Sequence, residues 1–116
     1  MTRGKTAITK GLVACVATFA LLALDTAGAA NPEAAKKIVT EVCQACHGAD
    51  GNSTTADYPK LGGQRPDYLA KALRDYKSGL RKNPIMAGFA GTLSKQDIEN
   101  LAAYFGAQPA VLVVKH

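Results

Sequence analysis

Cys43 and Cys46 stand three positions apart in VCQACHGADG, and His47 follows the second directly. Two thiols and an imidazole at that spacing can bind a metal, close a disulfide, or attach a porphyrin and ligate its iron. A redox-active thiol pair sits at a helix N-terminus after a strand, where the helix dipole lowers a thiol pKa. The residues before Cys43 instead have helical periodicity, and no strand precedes them. A structural zinc site takes four ligands, normally as two separated pairs. Beyond residue 30 the chain offers only Cys43, Cys46, His47 and the terminal His116, with His47 locked beside Cys46. Haem attachment meets neither objection. Thiols three positions apart suit the two vinyl groups on one side of a porphyrin, and the next residue then lies under the ring with its Nε2 towards iron.

A haem closed on both faces takes a second axial ligand, and a methionine there raises the reduction potential for electron transfer. Met86 is the one methionine after Met1. It lies in NPIMAGFAGTL, residues 83–93, an apolar stretch broken by Pro84, Gly88 and Gly91. The expectation is a loop that brings sulfur close to a flat ring. His116 is the rival ligand.

Three segments carry the helical stripe that must position these groups. The first opens on Asn31 as N-cap and Pro32 at the first helical position. Ala34, Ala35, Ile38, Val39 and Val42 share a face, and the helix is expected to end by delivering Cys43. The second follows Arg65-Pro66, with Tyr68, Leu69, Ala72, Leu73 and Tyr76 on one side, Lys71, Arg74 and Lys77 on the other, and Gly79 as the stop. The third is capped by Ser94 with Asp97 three residues on. It carries Ile98, Leu101, Ala102 and Phe105, and ends at Gly106 and Pro109. Residues 48–64 have no period and read as a loop. The only β-prone run is VLVV, residues 111–114, with nothing evident to pair with. The fold class is all-α.

Residues 1–30 read as a secretory leader: Arg3, Lys5 and Lys10 without an acid, an apolar run of 13 residues from Leu12 to Leu24, then small residues. That run is short for a membrane span, so cleavage is expected after Ala29 or Ala30, leaving no membrane anchor. Cys15 precedes most of the apolar run and is lost with the leader rather than lipidated. Losing Arg3, Lys5, Lys10 and Asp25 lowers the formal charge from +5 to +3. Export and so modest a charge exclude nucleic acid as a partner. Residues 31–116 form one small domain with a short tail from 109, and a monomer is the expected state. Lys60, Arg65, Lys71, Arg74, Lys77, Arg81 and Lys82 make its middle basic, either as a solvated face or as a surface that steers the protein towards an acidic docking site.

CQACHGADGNS, followed by YPKLGGQRPDYLAKALRDYKSGLRKNPIMAGFAGTLSKQDIENLAAYF, resembles the small bacterial class I cytochromes c over nearly all of residues 43–105. The likeness is to the single-haem cytochrome c553 type and to one half of the two-haem cytochrome c4. It implies the class I fold, three main helices and short loop helices around one covalent haem c. The N- and C-terminal helices then cross, with Ile38 and Val42 near Leu101 and Phe105. The resemblance further implies thioethers at Cys43 and Cys46, axial ligation by His47 and Met86, and a Pro59 carbonyl offered to the other nitrogen of His47. Gln64, Tyr68 and Arg81 lie within the matched motifs as propionate or pocket contacts, although the stripe position of Tyr68 reads as core.

The implied function is a periplasmic carrier of one electron, not an enzyme, working between redox partner proteins such as a membrane-bound oxidase or reductase, or a dehydrogenase. Two alternatives stay open. One is a haem c subunit of a larger dehydrogenase or oxidoreductase complex, with VLVV as a hint of docking. The other is a haem enzyme or gas sensor with an open face. A single haem motif departs from a complete two-haem cytochrome c4, and VLVVKH falls outside the matched motifs.

Overall fold

The computed structural model describes residue 11 and residues 28–111. Most of the leader, and the tail from 112 with His116, lie outside the described residues.

Five α-helices and one π-helical turn make up the described chain: α1 (Pro32–Ile38), the π turn (Val39–Cys43), α2 (Gln44–His47), α3 (Pro66–Ser78), α4 (Pro84–Gly91) and α5 (Lys95–Gly106). No strand occurs among the described residues, and none of these helices is long and apolar enough to cross a membrane. The all-α expectation and the class I helix order both hold.

Asn31 caps α1 as expected, its side chain accepting the Glu33 amide at 3.0 Å. The helix does not stop at Cys43. The Gln44 amide bonds back to the Val39 carbonyl, and helical structure continues through His47. A step of four residues overshoots an α-turn of about 3.6 residues, so a stripe spaced by fours drifts around the helix. The wider π turn offsets that drift. Ala35 and Val39 are buried, Cys43 packs partly buried against the core, and His47 is buried on the same side. π turns of this kind often mark functional positions, and this one carries the buried seam of α1 to the site.

α3 begins with Pro66 and ends where Gly79 takes φ 80°, a left-handed conformation that favours glycine. α5 has the full capping box of Ser94 and Asp97. α5 packs on both α1 and α3, and α3 packs on α4. The core they enclose contains Ala35, Val39, Leu69, Ala70, Leu93, Ile98, Leu101, Ala102 and Phe105. Fully burying a side chain such as Ile98 contributes about 1.5–3 kcal/mol. The N- and C-terminal helices meet as the resemblance implied, but Ala35 and Val39 take the buried seam. Ile38 is only partly buried beside it, and Val42 lines the cleft described below.

One expectation is overturned. Residues 83–93 are not a loop: Asn83 accepts the amides of Ile85 and Met86, Pro84 takes the first helical position, and α4 follows. Its period is hidden because apolar residues surround it on every side, so the pattern lacks the polar face that marks a surface helix.

The loop from 48 to 65 folds back on itself. The Gly51 carbonyl accepts the amides of Leu61 (2.7 Å) and Gly62 (3.2 Å). Gly51 has φ 73°, and a Cβ there would stand 2.7 Å from the Gly62 nitrogen and 2.8 Å from Phe105 Cδ1. No larger residue fits. The side chain of Asn52 then clamps the start of the tail, donating to Pro109 O (2.8 Å) and accepting the Val111 amide (3.1 Å).

Candidate functional site

A cleft of about 250 Å³ opens between the loop and α2, α3, α4 and α5. Cys43, Cys46, His47 and Met86 all line it. Leu69, Leu73, Leu101, Ala102 and Phe105 supply an apolar wall from α3 and α5, and Ile85 and Phe89 add to it from α4.

His47 is 7% exposed, and its Nδ1 lies 2.9 Å from the Pro59 carbonyl. A carbonyl only accepts, so Nδ1 carries the proton and Nε2 is the nitrogen left with a lone pair for a metal. The loop holding Pro59 is braced from within. Buried Ser53 donates its hydroxyl to the Tyr58 carbonyl at 2.5 Å, and Lys60 Nζ donates to the Ser53 carbonyl at 3.3 Å. The Tyr58 ring meets His47 edge-on, with centroids 6.2 Å apart.

Cys43 and Cys46 are unbridged thiols, each half-buried. Burial pushes the Cys43 thiol up, the opposite of the lowered thiol a redox-active pair requires. No three His, Cys, Asp or Glu side chains cluster as a metal site among the described residues.

Gln64, Tyr68 and Arg81 line the same cleft. The core reading of Tyr68 is wrong: the residue is 50% exposed, and its hydroxyl lies 3.5 Å from Arg81 Nη1. Its ring borders the open cleft, and the adjacent Leu69 and Ala70 take the buried positions. The Arg81 guanidinium lies 4.9 Å over the Tyr76 ring, a cation–π contact that fixes it at the rim.

The basic run is less of a field than the sequence suggests. Arg65 pairs with Asp67 (2.7 Å), Lys71 with Asp75, and Arg74 with Glu99 (2.6 Å). Lys77 is spent on backbone carbonyls. Ser53 and Asn83 are neighbours of the site that the sequence pattern does not single out, and Lys77 is legible there only as one of a basic run. Asn83-Pro84 carries a usable signal, since Asn31-Pro32 is the same pair in the same role.

The donor set fits a covalent haem. Two thiols, an imidazole with its far nitrogen occupied, and a thioether share one cleft with apolar walls and with Gln64 and Arg81 as polar groups.

Residues 30–105 match a family model described as cytochrome c oxidase, cbb3-type, subunit III. The chain is 46% identical over 99 residues to a cytochrome c4 of Pseudomonas aeruginosa, covering 85% of this chain and 48% of that one. It is 41% identical over 86 residues to a thiosulfate dehydrogenase electron acceptor of Stutzerimonas stutzeri, covering 73% and 37%. The solved structure of reduced recombinant cytochrome c4 from Pseudomonas stutzeri superposes with a TM-score of 0.65 at 44% identity, over 70% of this chain and 47% of that one. The chain thus spans about half the length of the curated relatives it matches first.

Proposed function

Because this chain belongs to the cytochrome c family, we propose that it is an exported carrier of one electron whose covalent haem c occupies the cleft beside α2. The group supplies a reversible one-electron change at iron. Cys43 and Cys46 would hold the group through thioethers, each thiol adding across one vinyl group with its sulfur on one carbon and its proton on the other. His47 presents Nε2, its ring angle and tautomer held by the Pro59 carbonyl. Met86 presents its thioether from α4. Leu69, Leu101 and Phe105 exclude water, and Arg81 and Gln64 offer donors to the propionates. With His47 and Met86 both available to the iron, the bound group would offer a substrate no open position, which favours electron transfer over catalysis.

The observation that carries this reading is that Cys43, Cys46, His47 and Met86 line one cleft while His47 Nδ1 is already engaged. Export rests on the leader pattern of residues 1–30, and the periplasm is the compartment proposed. The test is expression with a cytochrome c maturation system, followed by intact mass. A product one haem heavier than the processed polypeptide is expected. The bare polypeptide mass would overturn the reading. Met86→Ala should abolish the low-spin methionine spectrum and leave the haem attached.

A second reading, an electron-accepting subunit of a larger dehydrogenase, draws on the similarity to the thiosulfate dehydrogenase electron acceptor and on the exposure of Leu80 outside the cleft. Gel filtration from the native host separates the two: a free carrier elutes at the size of one small domain.

A further inference from the structure

Lys77 reaches from α3 to the far end of the helix that carries Met86. Its Nζ donates to the Gly91 carbonyl at 2.9 Å and to the Leu93 carbonyl at 2.6 Å. Gly91 is the last residue of α4, and carbonyls at a helix end lack intrahelical donors. A fixed cation there also answers the negative end of the helix dipole. The other cations on this face of α3, Lys71 and Arg74, pair with acids. Lys77 alone of the three is spent on backbone.

α4 needs such an anchor. It has eight residues, too few for a helix that is stable in isolation. Ala90 is its one buried residue, and Ile85 and Phe89 are 63% and 47% exposed. Ile85 and Phe89 line the cleft, so the helix is held by Ala90, by its packing on α3 and by its end contacts. Asn83 holds the N-terminal end within the same segment. Lys77 holds the C-terminal end from another helix.

We propose that Lys77 is a positioning residue for Met86: its ammonium, held on the Gly91 and Leu93 carbonyls, keeps α4 against α3 and so sets how often the Met86 thioether leaves the iron. This rests on Met86 as the axial ligand.

The experiment uses the haem-loaded full protein as wild type, Lys77→Met, Lys77→Gln and Lys77→Arg. The oxidised proteins are titrated with imidazole, which binds the iron only after Met86 has left, and denaturant unfolding is followed by far-UV circular dichroism on the same samples. Losing charge-assisted bonds at a partly exposed site should let Lys77→Met and Lys77→Gln bind imidazole about five- to tenfold more tightly. Lys77→Arg keeps the charge and should stay within about twofold of wild type. The rise should exceed what the loss of global stability accounts for, because opening α4 is a local event. Unchanged imidazole affinity in Lys77→Met overturns the proposal, and so does a rise matched by an equal loss of global stability. Should Lys77→Met not fold, Lys77→Gln decides by the same criteria. Met86→Ala separates the premise: if that variant keeps the wild-type ligand field, the axial-ligand reading itself falls, whereas an intact methionine signature with unchanged imidazole binding removes only the role of Lys77.

Discussion

The backbone amide of Met86 donates to Asn83 Oδ1 at 3.0 Å, and the amide of Ile85 shares that oxygen at the same distance. The candidate axial ligand is thus tied to the N-cap of its own helix. Side-chain direction in the first turn of α4 follows from where that cap places the backbone.

Asn83→Ala should therefore cost about 1 kcal/mol of stability and weaken the methionine–iron signature, while Asn83→Asp retains both. Urea midpoints and the oxidised absorption spectrum check this. A full signature in the alanine variant would mean the cap does not orient Met86.

Ser53 acts on the side of the cleft that carries His47. Its hydroxyl holds the Tyr58 carbonyl next to the residue whose own carbonyl accepts from His47. Removing it should cost about 1 kcal/mol and loosen the Nδ1–H bond. An imidazole with a weaker Nδ1–H acceptor donates less to iron, so Ser53→Ala should raise the reduction potential and speed exchange of the Nδ1 proton. Voltammetry and NMR are the readouts, and an unchanged potential counts against the linkage.

Two glycines should respond in opposite directions. Gly51→Ala meets both a left-handed φ of 73° and backbone at 2.7 Å, so the loss should be about 2–4 kcal/mol. Gly88 lies inside α4, and a Cβ added there would meet nothing within 4 Å. Gly88→Ala should stabilise by up to about 1 kcal/mol. Chemical denaturation of the two variants side by side tests the pair.

Acid stability should depend on Asp97. Hydrogen bonds from the Ser94 hydroxyl and amide hold its carboxyl below the ordinary value of 3.8. A depressed folded-state pKa contributes stability above the unfolded value, and that contribution is lost as pH falls through the folded one. Wild type should lose more Tm than Asp97→Asn between about pH 5 and about pH 2, while at about pH 6 the variant should melt lower. Parallel melting curves for the two proteins would dismiss the capping carboxylate as a source of acid sensitivity.

Much of this protein is legible in order along the chain. Cys43, Cys46 and His47 declare their chemistry because the spacing is local, and local spacing survives any fold. Helix ends are read the same way: Ser94 with Asp97, and Gly79 after Ser78, act through bonds and dihedrals within a few residues of themselves. Local reading fails where two surfaces compete for one segment. The α4 segment reads as a loop because its apolar residues serve both a cleft and an open face, and Tyr68 reads as core because a cleft wall uses the same stripe as an interior.

The sequence by itself determined the candidate ligand types, the helical class and most caps, since these depend on neighbours within about one turn of helix. Only the tertiary structure decided that the π turn keeps Ala35, Val39, Cys43 and His47 in line and that Lys77 crosses to the end of α4, and it put Pro59, which the resemblance had pointed to, 2.9 Å from His47 Nδ1. Those contacts join residues whose partners lie beyond the reach of any local pattern. They exist because burying the seam of α1, α3 and α5 brings distant carbonyls and side chains within hydrogen-bonding distance, and nothing short of that packing sets which pairs meet.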